Sequence, residues 1–178
     1  MLAFAHIQKT AGSTFLGILR RSFGFRHVEV EPWRPFSGIR YYDTTYSAED
    51  HREVQRFLPH LQSLAGHHVK PHSDLNKARP DVRYFLFLRE PLERTASHYQ
   101  HMVQKMGYQE TCRHWLTRQA CFERFHDIQT KHIAGQPDVD EAIRILRERC
   151  VIVGLQERFD ESLVLLRESA GIRQLDVR

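Results

Sequence analysis

The sequence has few cysteines and no long apolar run, and each absence excludes a class of protein. Three cysteines, Cys112, Cys121 and Cys150, lack the paired spacing of a metal site. A small, odd number argues against a disulfide framework and favours a reducing, cytoplasmic compartment, although Cys112 and Cys121 could still pair. No apolar stretch approaches the roughly 20 residues of a membrane-spanning helix.

The chain also lacks a leader segment, an internal repeat and a linker. Residues 3–7 already resemble a core strand, which leaves no room for the basic and apolar regions of a signal peptide. The net charge is only +4, without a basic run or a nucleic-acid motif, so it suits an anionic ligand other than nucleic acid. Hydrophobic residues make up 41% of the chain, enough for a core. We therefore expect one domain over residues 1–178.

Alternating strand-like and helix-like segments predict an α/β fold. The predicted strands are 2–7, 62–67, 82–88 and 150–154, and the predicted helices are 13–23, 49–58, 91–106, 111–124, 138–149 and 159–169. Residues 31–46, which are rich in aromatic residues, are expected to form an ordered loop or a weak strand that packs over the core or lines a ligand site. This order predicts a three-layer sandwich around a central parallel sheet.

A loop with one glycine and one lysine follows the first predicted strand, at residues 6–14. A strand, a loop and a helix in this order aim backbone N–H groups and a helix N-terminus at a phosphate. Lys9 adds a positive charge, and Thr10, Ser13 and Thr14 add hydroxyl groups. The loop is not a Walker A motif, because its lysine precedes its glycine, which disfavours an ordinary nucleotide triphosphatase. A plain turn with a solvated lysine is the alternative.

A second basic segment follows the third predicted strand. Arg89 comes at the tip of that strand, and Ser97 lies about two turns into the next helix, on a face that could look back toward Arg89. A guanidinium with a hydroxyl makes a good phosphate clamp, and Arg94 lies nearby on the same helix. The alternative is that Arg89 and Arg94 pair with Glu90 and Glu93 on a solvated surface.

Histidine is abundant, with 12 residues, and several of them cluster at residues 66–72. His67 and His68 are adjacent, so on extended chain they point to opposite faces and make a poor metal site. Only one of them can face the ligand crevice at the carboxyl end of the strand. The ordinary histidine pKa, about 6.5, suits proton transfer, and a partly buried structural histidine is the alternative.

The two basic segments together resemble the PAPS-dependent sulfotransferases, most closely the carbohydrate and glycosaminoglycan branch with its bacterial members. Residues 6–14 resemble the loop that holds the 5′-phosphosulfate of the donor in that family. Residues 88–99 resemble the segment that holds the 3′-phosphate, with Arg89 and Ser97 at the family's spacing. Residues 127–135 and 153–163 also look like the family, so the resemblance extends from residue 3 to about residue 166.

The resemblance implies transfer of a sulfuryl group from PAPS to a hydroxyl of an acceptor, a carbohydrate by analogy, with no metal, no nucleic acid and a P-loop-like phosphosulfate loop. The donor-binding residues that it implies are Lys9, Thr10, Ala11, Gly12, Ser13, Thr14, Arg89 and Ser97. Lys9 would also stabilise charge on the leaving phosphate oxygen. His67 matches the family's Gly-His base, and His68 is the alternative one residue later.

Two features depart from the resembling family. Glycosaminoglycan enzymes usually carry a membrane anchor and a stem, which this sequence lacks, and the sequence stops soon after the helix predicted at 159–169. A minimal or shortened domain is therefore expected.

Two other classes stay open: a nucleotide or nucleoside kinase with a P-loop-like site, and a non-catalytic module that binds PAP, the desulfated donor, or another polyanion. A kinase would need a Walker lysine and a magnesium ligand.

Overall fold

A five-stranded parallel sheet forms the centre of this computed structural model, which describes residues 1–30, 44–118 and 125–172. The strands are β1 (Leu2–Ala5), β2 (His27–Glu29), β3 (Ser63–Gly66), β4 (Arg83–Leu88) and β5 (Cys150–Leu155). Their order is β2-β3-β1-β4-β5, so β1 lies in the middle of the sheet. The sequence pattern does not predict β2, because three residues are too few to show an alternation of side chains.

Seven helices connect or flank these strands within the described ranges. They are α1 (Gly12–Phe23), α2 (Ala48–Phe57), α3 (Pro91–Met106), α4 (Cys112–Thr117), α5 (Ile128–Ala134), α6 (Val139–Arg149) and α7 (Phe159–Ala170). None of them is long and apolar enough to cross a membrane.

Two helices differ from the sequence prediction. The helix predicted at 111–124 ends at Thr117, because Arg118 adopts an extended conformation with φ −69° and ψ 126°. Helix α5 is absent from the prediction, since its seven residues are shorter than a reliable helical pattern. Residues 119–124, including Cys121, and residues 31–43 lie outside the described residues, so the Cys112–Cys121 pairing and most of the aromatic loop stay predictions.

The sheet is covered by helices on both faces, because successive strand residues point to opposite sides. Phe4 and Phe87 face a core layer that includes Phe15 of α1 and Leu163 of α7. On the other face, Ala5 and Leu86 pack with residues of α5 and α6, namely Ile133, Ala142 and Ile145. The predicted three-layer α/β sandwich with a central parallel sheet is confirmed.

The strand order brings the predicted site segments to one edge of the sheet. The loop with Lys9 follows β1, His67 follows β3, and Arg89 follows β4. Strands β3 and β4 are the two hydrogen-bonded neighbours of β1. Since all the strands are parallel, their carboxyl ends meet along the same edge, which is where ligands bind in open α/β sheets.

Candidate active site

The loop between β1 and α1 has an unusual backbone. Lys9 and Ala11 both have φ 67°, in the left-handed region, although neither is a glycine. Such a conformation costs a non-glycine residue about 1–2 kcal/mol, and residues of this kind cluster at ligand sites. Left-handed residues in a tight turn make successive N–H groups converge into a concavity that binds anions. The loop therefore has the geometry of an anion site.

Helix α1 adds its N-terminus to this loop. Its N-cap residue, Ala11, makes no side-chain cap, so the positive end of the helix dipole lies directly at the loop. The Thr10 hydroxyl is buried and donates to the Ile7 carbonyl at 2.9 Å, which holds the loop in shape. Ser13 and Thr14 are exposed in the first turn of α1. Both side chains, unlike that of Thr10, are accessible to solvent.

Gly12 is required for space, because the His6 imidazole lies directly on it. A Cβ atom at Gly12 would stand 1.7 Å from His6 Nε2. The His6 ring is buried and stacks on Phe4, with 5.4 Å between the ring centroids. The absence of a side chain at Gly12 thus leaves room for the His6 ring at the start of α1.

His67 is attached to the same loop through His6. Its Nδ1 lies 2.7 Å from the His6 carbonyl oxygen, and the two rings stack with centroids 4.0 Å apart. A carbonyl oxygen can only accept, so Nδ1 carries the proton and Nε2 carries the lone pair of the neutral ring. Burial, with the nearby charge of His67, lowers the pKa of His6 to about 3. His6 is therefore neutral at physiological pH.

The other histidines of the cluster make different contacts. His68 is buried, and its Nδ1 bonds to Thr44. His72 Nδ1 donates to the Ile133 carbonyl at 3.3 Å, and His132 Nε2 donates to the Val69 carbonyl at 3.2 Å. Among the described residues, no group of three or more His, Cys, Asp or Glu side chains is arranged to hold a metal ion.

The backbone at the tip of β4 is held by side chains from two distant segments. Gln129 of α5 accepts from the Arg89 N–H at 3.0 Å and donates to the Arg89 carbonyl at 2.9 Å. Glu157 accepts from the Glu90 N–H at 2.8 Å. These contacts fix the point from which the Arg89 side chain extends. Neither role is readable from the sequence, although both residues fall in segments that resemble the family.

The Arg89 guanidinium connects the two basic segments. Its Nη1 donates to the Lys9 carbonyl at 3.4 Å, and its Nη2 lies 3.7 Å from the exposed Glu93 carboxylate. Burial, and after it the charge of Arg89, lowers the pKa values of Lys9 and Arg94. Three cationic side chains thus gather where β1 and β4 end.

Arg94 makes no ion pair with Glu90 or Glu93, whereas Arg89 does pair with Glu93. The Glu90 carboxylate instead accepts from the Glu93 N–H at 2.8 Å. Ser97 is half-buried and lies three residues beyond Arg94, so helical geometry puts the two on adjoining rows of α3. The structure thus brings Arg89 into direct contact with Lys9. His67 contacts the loop of residues 6–14 through the His6 carbonyl. The Ser97 hydroxyl makes no hydrogen bond within the described residues.

Known proteins share this architecture. A solved sulfotransferase from Alicyclobacillus acidocaldarius superposes with a TM-score of 0.62 at 16% identity, over 96% of this chain and 79% of that chain. Such a low identity shows a shared fold. A comparison with curated protein sequences finds no match. A model of the Sulfotransferase family matches residues 1–159, which include all the site residues described above. The chain therefore belongs to the sulfotransferase family.

Proposed function

We propose that this sulfotransferase moves a sulfuryl group from PAPS to a hydroxyl of a carbohydrate acceptor. The observation that carries the donor assignment is the contact between Arg89 and the Lys9 carbonyl, at 3.4 Å. It sets two basic segments side by side at the carboxyl edge of the sheet. PAPS has anionic groups at both ends of its ribose and so needs two adjacent anion sites.

In this proposal each segment takes one end of the donor. The N–H groups of the loop and of α1, from Ala11 to Thr14, hold the 5′-phosphate, with Lys9 beside them. Arg89 and Ser97 hold the 3′-phosphate. The strained backbone at Lys9 and Ala11 supports the first assignment, and the fixed backbone of Arg89 supports the second. A ligand with a single anionic group would occupy only one of the two basic segments.

His67 acts as the base in this proposal. Its Nε2 takes the proton of the acceptor hydroxyl as that oxygen forms a bond to sulfur, while the bond from sulfur to the bridging phosphate oxygen breaks in line. Lys9 stabilises the negative charge that the leaving oxygen gains. The His6 carbonyl accepts from Nδ1 and so stabilises the imidazolium that forms. Neutral His6 adds no repulsion to that charge.

The remaining features of the proposal rest on the sequence. The carbohydrate class rests on the resemblance of residues 6–14 and 88–99 to carbohydrate sulfotransferases. The cytoplasmic location rests on the low cysteine count, and the single domain rests on the length and the even composition. The chain would work in a reducing compartment without a metal.

Ligand preference tests the donor assignment. Thermal shift measurements should show greater stabilisation by PAP than by AMP, because only PAP fills both anion sites. A ligand at about 100 times its dissociation constant stabilises by roughly 2.7 kcal/mol. Equal shifts with PAP and AMP would contradict the 3′-phosphate assignment, and a larger shift with ATP and magnesium would favour a kinase.

Paired histidine variants test the base. His67→Ala should lower the turnover rate by about 10²–10⁴-fold, the usual contribution of a positioned base, while PAP still binds. His68→Ala is the matched control, because His68 bonds to Thr44 and should affect turnover much less. Single-turnover rates with labelled PAPS would measure both variants. If His67→Ala keeps the wild-type rate, the base lies elsewhere; if neither variant nor wild type transfers sulfate, a binding module is favoured.

A further inference from the structure

Two phenylalanines lie in solvent at the amino edge of the sheet, where the strands begin, opposite the candidate active site. Phe25 is 100% exposed, in the turn between α1 and β2, and Phe57 is 84% exposed, at the end of α2. An aromatic side chain gains more free energy from burial than almost any other, and an exposed one forgoes that gain. Exposed apolar side chains that gather on one surface mark an interaction site.

The backbone brings the two phenylalanines to the same part of this edge. The Gln62 N–H donates to the Arg26 carbonyl at 2.9 Å, and Arg26 directly follows Phe25. The turn that leads from α2 to Gln62 begins at Leu58, directly after Phe57. Phe25 and Phe57 therefore lie on either side of one backbone hydrogen bond, at the start of the paired strands β2 and β3.

The charged groups around the phenylalanines are mainly arginines. Arg26, Arg56 and Arg83 are exposed at this edge, and none of them forms an ion pair within the described residues. Asp81, the acidic residue before β4, is bound by Arg79 at 3.0 Å. The edge thus presents three positive charges that the surrounding protein does not neutralise.

A cavity connects the arginine of β4 to the phenylalanines. It has a volume of about 530 Å³, and its walls include Phe23, Gln62 and Arg83. Phe23 precedes Phe25 by two residues, and Gln62 is the residue bonded to Arg26. The aromatic rings and the arginines therefore belong to one continuous surface.

This combination matches the surface of an anionic membrane. Aromatic side chains insert at the boundary between lipid headgroups and acyl chains, while arginines stay among the phosphates. Neither Phe25 nor Phe57 lines the cavity, so both project outward from the ends of their elements. The negative end of a helix dipole accounts for Arg56 in the last turn of α2, but it does not account for exposed rings. Glu53, an acidic residue of α2, lies one turn farther from the edge.

We propose that this amino-edge surface, formed by Phe25, Arg26, Arg56, Phe57 and Arg83, docks on an anionic membrane. The two rings insert below the lipid phosphates, and the three arginines bind those phosphates. Attachment of this kind needs no spanning helix. The candidate active site, at the carboxyl ends of the same strands, then faces away from the membrane and stays open to solvent. The proposal goes beyond the proposed function and does not depend on the donor or the acceptor.

Co-sedimentation with lipid vesicles tests this proposal. The wild type should bind vesicles of phosphatidylcholine mixed with phosphatidylserine, and bind vesicles of phosphatidylcholine alone much more weakly. Replacing both rings, with Phe25→Ser and Phe57→Ser, should lower the affinity for the anionic vesicles about 10- to 100-fold for each ring. Arg26→Gln should lower it about 5-fold, and added salt should weaken the binding of the wild type.

Leu92→Ser and Arg144→Gln are the matched controls. Leu92 is an exposed leucine at the start of α3, on the opposite edge of the sheet, and Arg144 is an exposed arginine in the middle of α6. Neither change should alter vesicle binding. Losses as large as those of the phenylalanine and Arg26 variants would overturn the proposal, since binding would then have no defined surface.

Thermal denaturation shows whether the phenylalanines serve the fold instead. The double variant should melt at the wild-type temperature, because both rings are exposed, and a much lower melting temperature would overturn the proposal. Absent or equal binding to the two kinds of vesicle would also overturn it, as would wild-type affinity in the double variant. Binding of polyglutamate as tight as that of anionic vesicles, unaffected by the phenylalanine changes, would favour an acidic protein partner and overturn the membrane. The assay contains no nucleotide, so its outcome is separate from that of the proposed function.

Discussion

At the scale of single residues, the site depends on one close contact between a glycine and a ring. His6 lies on Gly12 and stacks on His67, so one imidazole connects the anion loop to the proposed base. Any side chain at Gly12 would displace the His6 ring, and the His67 ring would lose the surface against which it stacks. The absence of a side chain at Gly12 therefore affects the proposed base as well as the anion loop.

Gly12→Ala should lower the stability and the turnover together. The added methyl group overlaps His6, and overpacking of this kind costs about 1–3 kcal/mol. Gly17→Ala is the control in the same helix, since a Cβ there meets nothing within 4 Å. That change should stabilise α1 by about 0.5–1 kcal/mol, the usual preference of a helix for alanine. Thermal denaturation and turnover of the two variants would show the contrast, and equal effects would contradict the role given to His6.

At the scale of secondary-structure elements, helix α5 positions the tip of β4. Gln129 forms two hydrogen bonds with the backbone of Arg89, as a neighbouring strand would. Glu157, in the turn after β5, holds the next residue, Glu90. The start of α3 and the Arg89 side chain thus take their position from segments that follow much later in the chain.

Gln129→Ala should weaken PAP binding through the backbone of Arg89. Losing two hydrogen bonds destabilises the fold by about 1–3 kcal/mol and leaves Arg89 less well oriented. Gln136→Ala, an exposed position in the turn after α5, is the control and should have little effect. Calorimetric titration with PAP and chemical denaturation would measure the two effects. Wild-type PAP affinity in Gln129→Ala would show that α5 does not position Arg89.

At the scale of the whole molecule, buried and half-buried histidines make the fold sensitive to acid. Burial is the main cause that lowers the pKa of five of them: His6, His27, His51, His72 and His132. Below about pH 6.5, the ordinary histidine pKa, the unfolded chain takes up protons that the folded chain does not. The free energy of unfolding should therefore fall as the pH falls, by at most about 1.4 kcal/mol per pH unit for each histidine.

His51→Gln should make this pH dependence less steep. His51 is completely buried, and its Nδ1 lies 3.3 Å from the Tyr46 hydroxyl, which glutamine can also reach. Chemical denaturation between pH 7 and pH 4.5 would give the slopes for wild type and variant. His60→Gln, at an exposed position, is the control. A slope that His51→Gln leaves unchanged would mean that His51 is protonated in the folded protein.

The sequence determined the local elements of this protein. The loop of residues 6–14 between a strand and a helix, and the Arg89 segment after another strand, could be predicted because strand-loop-helix patterns are encoded by neighbouring residues. The fold class followed from the alternation of strands and helices. Short elements such as β2 and α5 could not be predicted, because their packing rather than their pattern fixes them.

Only the tertiary structure decided which residues meet. His67 bonds to His6 across 61 positions of sequence, and Arg89 bonds to Lys9 across 80. These contacts exist because β3 and β4 pair on either side of β1, an order that no local pattern specifies. The burial of Arg94 without an ion pair to any carboxylate of the described residues is likewise a property of the packed layers. The sequence places a charge in α3, and the fold removes it from water beside Arg89.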